Sequence, residues 1–561
     1  MRFIGPSIAT LTGALMGALT GAFTGACTGS NTPLPAGEDS AVDSPKDPRD
    51  TAPAPFDPTS DCAALGLPSV DFVDAADSAM LYDPAADFTV QTTEGEWNLK
   101  DNWSGCDVYL FIPDEPRQNT GAPTATWEKK KDNKALVDSL PDNTHLFFLS
   151  TLSGETNRTA ALDALKADID DQLSTYDPDT AEWKARHIHY VTERDSRVEG
   201  WLGDTLASPG WGVGIDRAQR VRYIGSFADP ERYNSSYGWF EPNISMVNNE
   251  ARYYNFEEQR QTALDAEGAT LIPAWTGEVV QDPGWAGARS TLDIELPDAA
   301  TMATFDTLEL DLTMLCVGDG EYGECPAWDY INWGYLCRED DPDTCDIELG
   351  RWITTYHREG RWVHDVSPLL AYLKNGGPRR LTFYSQQPYN VSLTLRLSDK
   401  GTVDRPDDAQ VLYTGGGLSA AYNEREPVTV DVPADVNRVA LAVVMSGHGQ
   451  TGNPACMEFC GSEHNFSVNG NDNLFTYAIA NSTYGCMDQI EQGVVPNQYG
   501  TWWYGRNGWC PGQQVDMKVV DITEQVLFGQ ANTFDYNVAN LDGSLDSGGD
   551  LIVTTWLVYY R

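Results

Sequence analysis

Positive charge is scarce in this chain. Its 561 residues carry 37 lysines and arginines against 83 aspartates and glutamates, a formal net charge of -46. Such a surface repels phosphate backbones, which excludes a general electrostatic footprint for nucleic acid and disfavours anionic surfaces. Neutral sugars, read by hydrogen bonds and aromatic faces, are unaffected by it. Histidine is scarcer still, at 7 residues, and no closely spaced CxxC pair or Cys/His set occurs, so neither a structural zinc site nor any other cofactor is expected. Beyond the N-terminus no apolar run is long enough to span a bilayer. No phosphate-binding loop, dinucleotide-binding glycine motif or serine nucleophile elbow stands in a supporting context. LDGSLDSGGD near the C-terminus has the composition of a calcium loop without its ligand spacing, and reads as a hairpin turn.

The N-terminus reads as a leader. Arg2 precedes the weakly apolar run IATLTGALMGALTGAF, and small residues Gly25 and Ala26 stand before Cys27. Residues 1–27 read as an export signal of lipoprotein type, with Cys27 as the lipidated residue. Ordinary secretion is the alternative, because Thr24 stands where that pattern usually has leucine. Residues 28–60 are rich in Pro, Ala, Ser, Asp and Thr and lack the bulky apolar side chains needed to fold. They form an acidic tether with a reach of roughly 30 Å, and the expected location is the cell envelope or cell surface. Membrane contact is expected through the lipid anchor alone, and a monomer is expected.

Of the 11 cysteines, removing a lipidated Cys27 leaves an even number in an exported chain, so disulfides are expected. Local spacing suggests Cys316 with Cys325, Cys337 with Cys345, Cys456 with Cys460 and Cys486 with Cys510, leaving Cys62 for Cys106.

Residues 61–230 mix strand and helix signals. DVYLFIP and HLFFLS read as buried strands, RTAALDALKADIDDQLSTY as an amphipathic helix and RHIHYV as another strand. This α/β domain resembles thioredoxin-like redoxin domains, but the stretch after the first central strand, Phe111, Ile112, Pro113 and Asp114, has no cysteine, so redox catalysis is not expected. His187 and His189, alternating on a strand, would share a face. As a copper or zinc pair they are outweighed by the plainer reading of half-buried or solvated side chains.

After a connecting region at 231–284, the pattern becomes strand and turn. STLDIELP, FDTLELDLTML, GRWITTYHREGRW, RRLTFYSQ and VSLTLRL are followed by PVTVDVP, NRVALAVVMSG, NFSVNG, VDMKVVDIT and DLIVTTWLVYY. The expected architecture is two successive all-β sandwiches, at 285–400 and 401–561.

Three stretches combine cysteine, an aromatic and a charged side chain: ECPAWDY at 324–330, CMEFC at 456–460 and GTWWYGRNGWCPG at 500–512. A disulfide fixes a loop, aromatic faces suit sugar rings, and a carboxylate or guanidinium supplies polar chemistry, which together suit a carbohydrate site. Taken singly, CMEFC serves equally well as a structural turn with an exposed Glu458, and Asp329 as a strand-end residue.

In motif order, residues from about 286 to 561 resemble the peptide-N-glycosidase F family, through ECPAWDY, ELGRWIT, VALAVVMSGHG, CMEFCGSEH and GTWWYGRNGWCPG. The resemblance implies two jelly rolls packed side by side with a site in the cleft between them. It also implies disulfides at Cys316–Cys325, Cys456–Cys460 and Cys486–Cys510. The activity implied is hydrolysis of the bond between an N-linked glycan and asparagine, with N-glycosylated proteins or glycopeptides as partners. The family's catalytic Asp and its partner Glu fall on Asp329 and Glu458, and a substrate-site Arg falls on Arg506. Such a reaction needs water activation, protonation of a departing glycosylamine and stabilisation of charge on the carbonyl oxygen. Substrate contacts are expected from Trp328, Tyr330, Gln386, His448, Trp503 and Trp509. Several depart from the family pattern: Gln386 replaces a Glu, Pro388 an aromatic, His448 a Trp and Tyr330 an Arg. Those departures keep open a noncatalytic glycan-binding lipoprotein in which Trp502, Trp503 and Trp509 pack or stack. Copper monooxygenase chemistry, hosted by related paired jelly rolls, would have to draw on His357, His364, His448 and His464, which form no ligand motif.

Overall fold

The computed structural model describes residues 62–63, 65–76, 81–115, 126–127, 130–208, 210–236, 238–281, 287–318, 320–321, 324–402, 405–449, 457–545 and 549–561. Residues 1–27, read as an export signal with Cys27 lipidated, and residues 28–60, read as a tether, lie outside the described residues. Among the described residues no helix is long and apolar enough to cross a membrane.

The N-terminal unit is a seven-stranded sheet flanked by helices. Its middle is parallel: Val108–Pro113 pairs with Thr144–Ser150, which pairs with Ile188–Arg194. Every residue of Val108–Pro113 is buried, as expected of a strand covered on both faces. An antiparallel hairpin, Thr89–Thr92 with Gly95–Asn98, closes one edge, and Val213–Ile215 with Val221–Tyr223 closes the other. Helix Pro178–Arg186 starts at the cap Asp177, whose side chain accepts from Thr180 N, with proline at the first turn. His187 is the C-cap of that helix, so it precedes the strand on which His189 lies instead of alternating with it. Its Nδ1 meets Trp183 O at 2.9 Å, whereas His189 Nε2 meets His145 Nδ1 at 3.0 Å.

The β-rich half forms two sandwiches. In the first, Thr270–Val280, Tyr389–Ser398, Thr307–Leu315 and Gly360–Asp365 make a four-stranded sheet, facing a five-stranded sheet of Ala288–Asp298, Gly376–Ser385, Ile331–Cys337, Cys345–Ile353 and Gln513–Gln514. In the second, Pro406–Gly417, Asp550–Tyr560, Arg438–His448 and Lys518–Asp521 face Val428–Val432, Gln530–Asn540, Ser462–Val468 and Leu474–Tyr477. Tyr389–Ser398 alternates buried and half-buried residues along its first half, as the period of a strand requires.

The region read as a connector is structured. It contains the helix Asn248–Ala266 and the edge strand Thr270–Val280, so the first sandwich begins before residue 285. That strand buries only Trp275 and Val280, which leaves it little apolar signal in sequence. GRWITTYHREGRW is not one strand but two, turning through residues 354–359.

Disulfides join Cys62–Cys106, Cys316–Cys325, Cys337–Cys345 and Cys486–Cys510, as the spacing suggested. The pairing of Cys456 with Cys460 involves Cys456, which lies outside the described residues. Cys486–Cys510 ties down a long segment without regular strands, which ends by adding Gln513–Gln514 to the first sandwich opposite Trp352 and Ile353. A segment of the second sandwich is thereby built into the first. One continuous apolar core runs from Val108 and Leu110, through Trp352 and Phe383, to Trp502 and Trp503, whereas the second sandwich has its own core around Val443, Phe466 and Tyr536.

Candidate functional site

Asp329 sits where a loop enters strand Ile331–Cys337, and Thr354 holds that loop in place. Thr354 Oγ1 donates to Trp328 O at 2.8 Å and accepts from Tyr330 N at 2.8 Å, while Thr354 N donates to Tyr330 O at 2.9 Å. The Cys316–Cys325 bridge lies at the far end of the same loop. The carboxylate of Asp329 accepts from the Tyr356 hydroxyl at 2.6 Å.

Glu458 comes from the second sandwich. Its N donates to Gly449 O at 3.2 Å and its O accepts from Asn507 N at 2.8 Å, which stitches it to the loop that carries Arg506. Arg506 Nε donates to Glu458 Oε1 at 3.0 Å, and Nη2 stands 4.0 Å from Asp329 Oδ2. The guanidinium also donates to Tyr504 O at 2.6 Å and Thr501 O at 3.2 Å, and it lies 4.3 Å over the Phe459 ring. Its side chain is 0% exposed while those of Asp329 and Glu458 are each 16% exposed. The cation is therefore a buried base plate, and the two carboxyls are the groups that reach solvent.

Burial pushes the Glu458 carboxyl up to about 7; Arg506 opposes the rise and Asp329 adds to it. Burial also raises the Asp329 carboxyl, against the pull of Arg506 and the Tyr356 hydrogen bond. Two neighbouring acids in unlike surroundings can divide the roles of proton acceptor and proton donor.

The other sequence-selected residues divide sharply. Trp328, beside Asp329, is 54% exposed and offers a free aromatic face. Tyr330 is half-buried, and Gln386 leaves its strand one residue after Ser385, which pairs with Asn332 close to the Asp329 loop. His448 stacks on Trp509 at 4.9 Å, and its Nε2 meets Ser446 Oγ at 2.8 Å; burial holds the imidazole down at about 3. Trp509 is itself buried, donating to Gly447 O at 2.7 Å. Trp502 and Trp503 are 0% exposed, and Trp503 meets Phe240 edge to face at 5.0 Å. Trp503 and Trp509 thus have no free face for a sugar. The three glycines among residues 500–508 let this loop pack inward, and the apolar rings follow it into the core.

Among the described residues, three possible metal donors converge only at Cys316, Cys325 and Glu359, and both thiols are consumed by their disulfide. His364 contacts Met517 N, and His464 hydrogen-bonds Ser462 and Tyr536. His357 meets Cys325 O, so the histidines of the β-rich half serve separate local contacts.

Tyr356 and Thr354 were not singled out from sequence, where they look like ordinary strand residues of WITTYH. Replacing Tyr356 with Phe keeps the ring and removes the donor to Asp329. Because that hydrogen bond favours the charged form, the Asp329 carboxyl is expected to rise further, read by NMR titration. A β-carbon on Gly500 would stand 2.3 Å from Tyr356 ring carbons. Gly500→Ala is therefore expected to cost about 1–3 kcal/mol by overpacking, measured by denaturant unfolding, and to displace Tyr356 from Asp329.

A family profile described as "Peptide-N-glycosidase F, C terminal" matches residues 419–558. The peptide-N(4)-(N-acetyl-beta-D-glucosaminyl)asparagine amidase F of Elizabethkingia miricola is 27% identical over 303 residues, covering 49% of this chain and 79% of its own. A solved structure of PNGase F, titled a glycosylasparaginase from Flavobacterium meningosepticum, superposes with a TM-score of 0.41 at 16% identity, covering 52% of this chain and 96% of its own. The structure of PNGF-II gives 0.40 at 14%, covering 54% and 67%. The two sequence matches support the peptide-N-glycosidase F family for the C-terminal half of this chain.

Proposed function

We propose that the C-terminal half is an amidase that hydrolyses the bond between an N-linked glycan and asparagine, leaving aspartate in the peptide and releasing an intact glycosylamine. The observation that carries this reading is the pair of carboxyls from different sandwiches sharing one buried cation, with Glu458 pushed up to about 7 beside Asp329. Asp329, oriented by Tyr356, takes a proton from the attacking water. The water oxygen bonds to the amide carbon, and the carbon–nitrogen bond breaks as Glu458 delivers its proton to the departing nitrogen. Arg506, hydrogen-bonded to Glu458 and to the carbonyls of Tyr504 and Thr501, steadies the developing negative charge through its field. Trp328 is the aromatic face available to a sugar ring. Gln386 hydrogen-bonds without titrating, so it contributes to glycan selection and not to proton transfer.

The remainder of the chain is read as an exported lipoprotein, monomeric, with a redoxin-like domain that lacks redox chemistry. Oxidised cysteine pairs support export, and the parallel centre with antiparallel edges supports the domain reading. Asp114, at the end of the first central strand, accepts from Ser150 Oγ at 2.6 Å and Thr151 N at 2.8 Å, where a reactive thiol would be required.

The test is incubation of the purified protein with a denatured N-glycoprotein, followed by mass spectrometry of peptide and glycan. Asparagine converted to aspartate with release of an intact glycan is expected. Glycan retention without conversion, across high-mannose, complex and core-modified forms, would replace the amidase by a binding module.

A further inference from the structure

We infer that the N-terminal domain and the helix Asn248–Ala266 brace the candidate site from behind, and that Arg358 is the positioning residue through which they act. The inference extends the reading of Asp329 and Glu458 as the reacting pair. Arg358 occupies the turn 354–359 between strands Cys345–Ile353 and Gly360–Asp365, and it is 4% exposed. One side chain joins four separate segments. Its Nη1 donates to Glu250 Oε1 on the helix at 2.9 Å and to Pro496 O at 2.7 Å. Nη2 donates to Tyr223 O in the edge strand of the α/β sheet at 3.0 Å. Nε donates to Glu321 Oε2, inside the loop closed by Cys316–Cys325, at 2.9 Å.

Glu250 anchors the other side of this junction. The same Oε1 accepts from Gly225 N and from Asn497 Nδ2, each at 2.9 Å. Ser226 N donates to Asn497 O at 2.6 Å, and a β-carbon on Gly225 would stand 2.1 Å from that oxygen. The approach of the two backbones therefore requires glycine. Phe240 packs on Trp503 farther along the same face.

From Arg358 the path to the carboxyls is short. Within its turn, His357 N donates to Pro326 O at 2.9 Å, and Tyr356 N donates to Gln498 Oε1 at 2.8 Å. The Tyr356 hydroxyl ends on Asp329. The turn is thus zipped to the Asp329 loop on one flank and to the segment leading to Arg506 on the other. A desolvated, multiply hydrogen-bonded charge of this kind fixes one geometry, because partial engagement leaves a buried ion unpaired. An apolar contact would allow sliding.

The experiment is hydrogen exchange on the full chain carrying Glu250→Gln or Gly225→Ala, with the carboxyl titration of Asp329 followed in parallel. Neither readout depends on glycan cleavage, so the brace and the amidase reading fail separately. Exchange of residues 324–330, 354–359 and 496–506 is expected to rise about tenfold, the equivalent of 1.4 kcal/mol of local opening, while strand Gln530–Asn540 is unchanged. The Asp329 carboxyl is expected to rise as Tyr356 withdraws. Exchange that increases only at residues 221–226 and 248–252, with the Asp329 titration unmoved, would overturn the brace. Glu250→Gln retains the side-chain shape, so the test does not depend on the folding of Arg358→Ala.

Discussion

Replacing Asp329 with alanine is expected to lower kcat for glycosylasparagine hydrolysis by about a thousandfold, within the range of 10²–10⁴ that positioned proton transfer supplies. The Asp329→Asn variant should fall as far, because its amide keeps the shape but cannot accept the proton. KM should change little in both, since Trp328 and the rest of the cleft are untouched. The pH profile of kcat/KM gives the sharper check. Asp329 must be ionised and Glu458 protonated, so the rate should rise as Asp329 loses its proton and fall above about 7, the value to which burial lifts Glu458. Because the two carboxyls interact, both apparent values belong to the pair. A wild-type rate that stays level from pH 6 to pH 9 would refute this division of roles.

Arg506→Ala is expected to destabilise the protein in a pH-dependent way. Removing one partner of a buried ion pair typically costs about 3–5 kcal/mol, because the remaining charge is left uncompensated. The sign follows from linkage. The folded-state pKa of Glu458 lies above its ordinary value of 4.5, so the folded state binds this proton more tightly than the unfolded chain. Its stabilising contribution is fully present below 4.5 and is lost as pH rises through about 7. Without Arg506, ionised Glu458 faces Asp329 with no cation between them and its carboxyl rises further. The full penalty should therefore appear at pH 8 and shrink at pH 5, where Glu458 is neutral. Denaturant unfolding of wild type and variant at the two pH values measures it. An equal loss at both would show that Arg506 contributes through packing over Phe459 and not through its charge.

Much of the β-rich half was legible from apolar runs and alternations bounded by turn residues: Tyr389–Ser398 alternates along its first half, whereas Val439–Gly447 is buried throughout. Arg438–His448 and Asp550–Tyr560 coincide with NRVALAVVMSG and DLIVTTWLVYY, and they pair in the same sheet. Thr270–Val280 escaped notice because an edge strand with two buried residues has almost no apolar alternation to read. WITTYHREGRW concealed a turn, since nothing in its composition marks where residues 354–359 leave one sheet for the other.

Asp329, Glu458 and Arg506 could be selected by motif because each lies within a few residues of a cysteine and an aromatic side chain. Trp503 and Trp509 belonged to the same motif but turned inward. A tryptophan beside a charged residue reads identically whether it faces a sugar or fills a core, and its solvent exposure depends on which segments cover it. Tyr356 and Arg358 were invisible for a related reason: their partners are Asp329, Glu250, Pro496, Tyr223 and Glu321, distant along the chain.

By itself, then, the sequence determined the acidic surface, the cysteine spacings, the two-sandwich character and the short motifs bearing carboxylate and guanidinium, because all of these are local or compositional. Only the tertiary structure decided which carboxyls meet over one buried cation, which aromatic rings remain open, and how the N-terminal domain reaches the site. Those outcomes depend on desolvation and on contacts between residues hundreds of positions apart, and neither is encoded in any single stretch of chain.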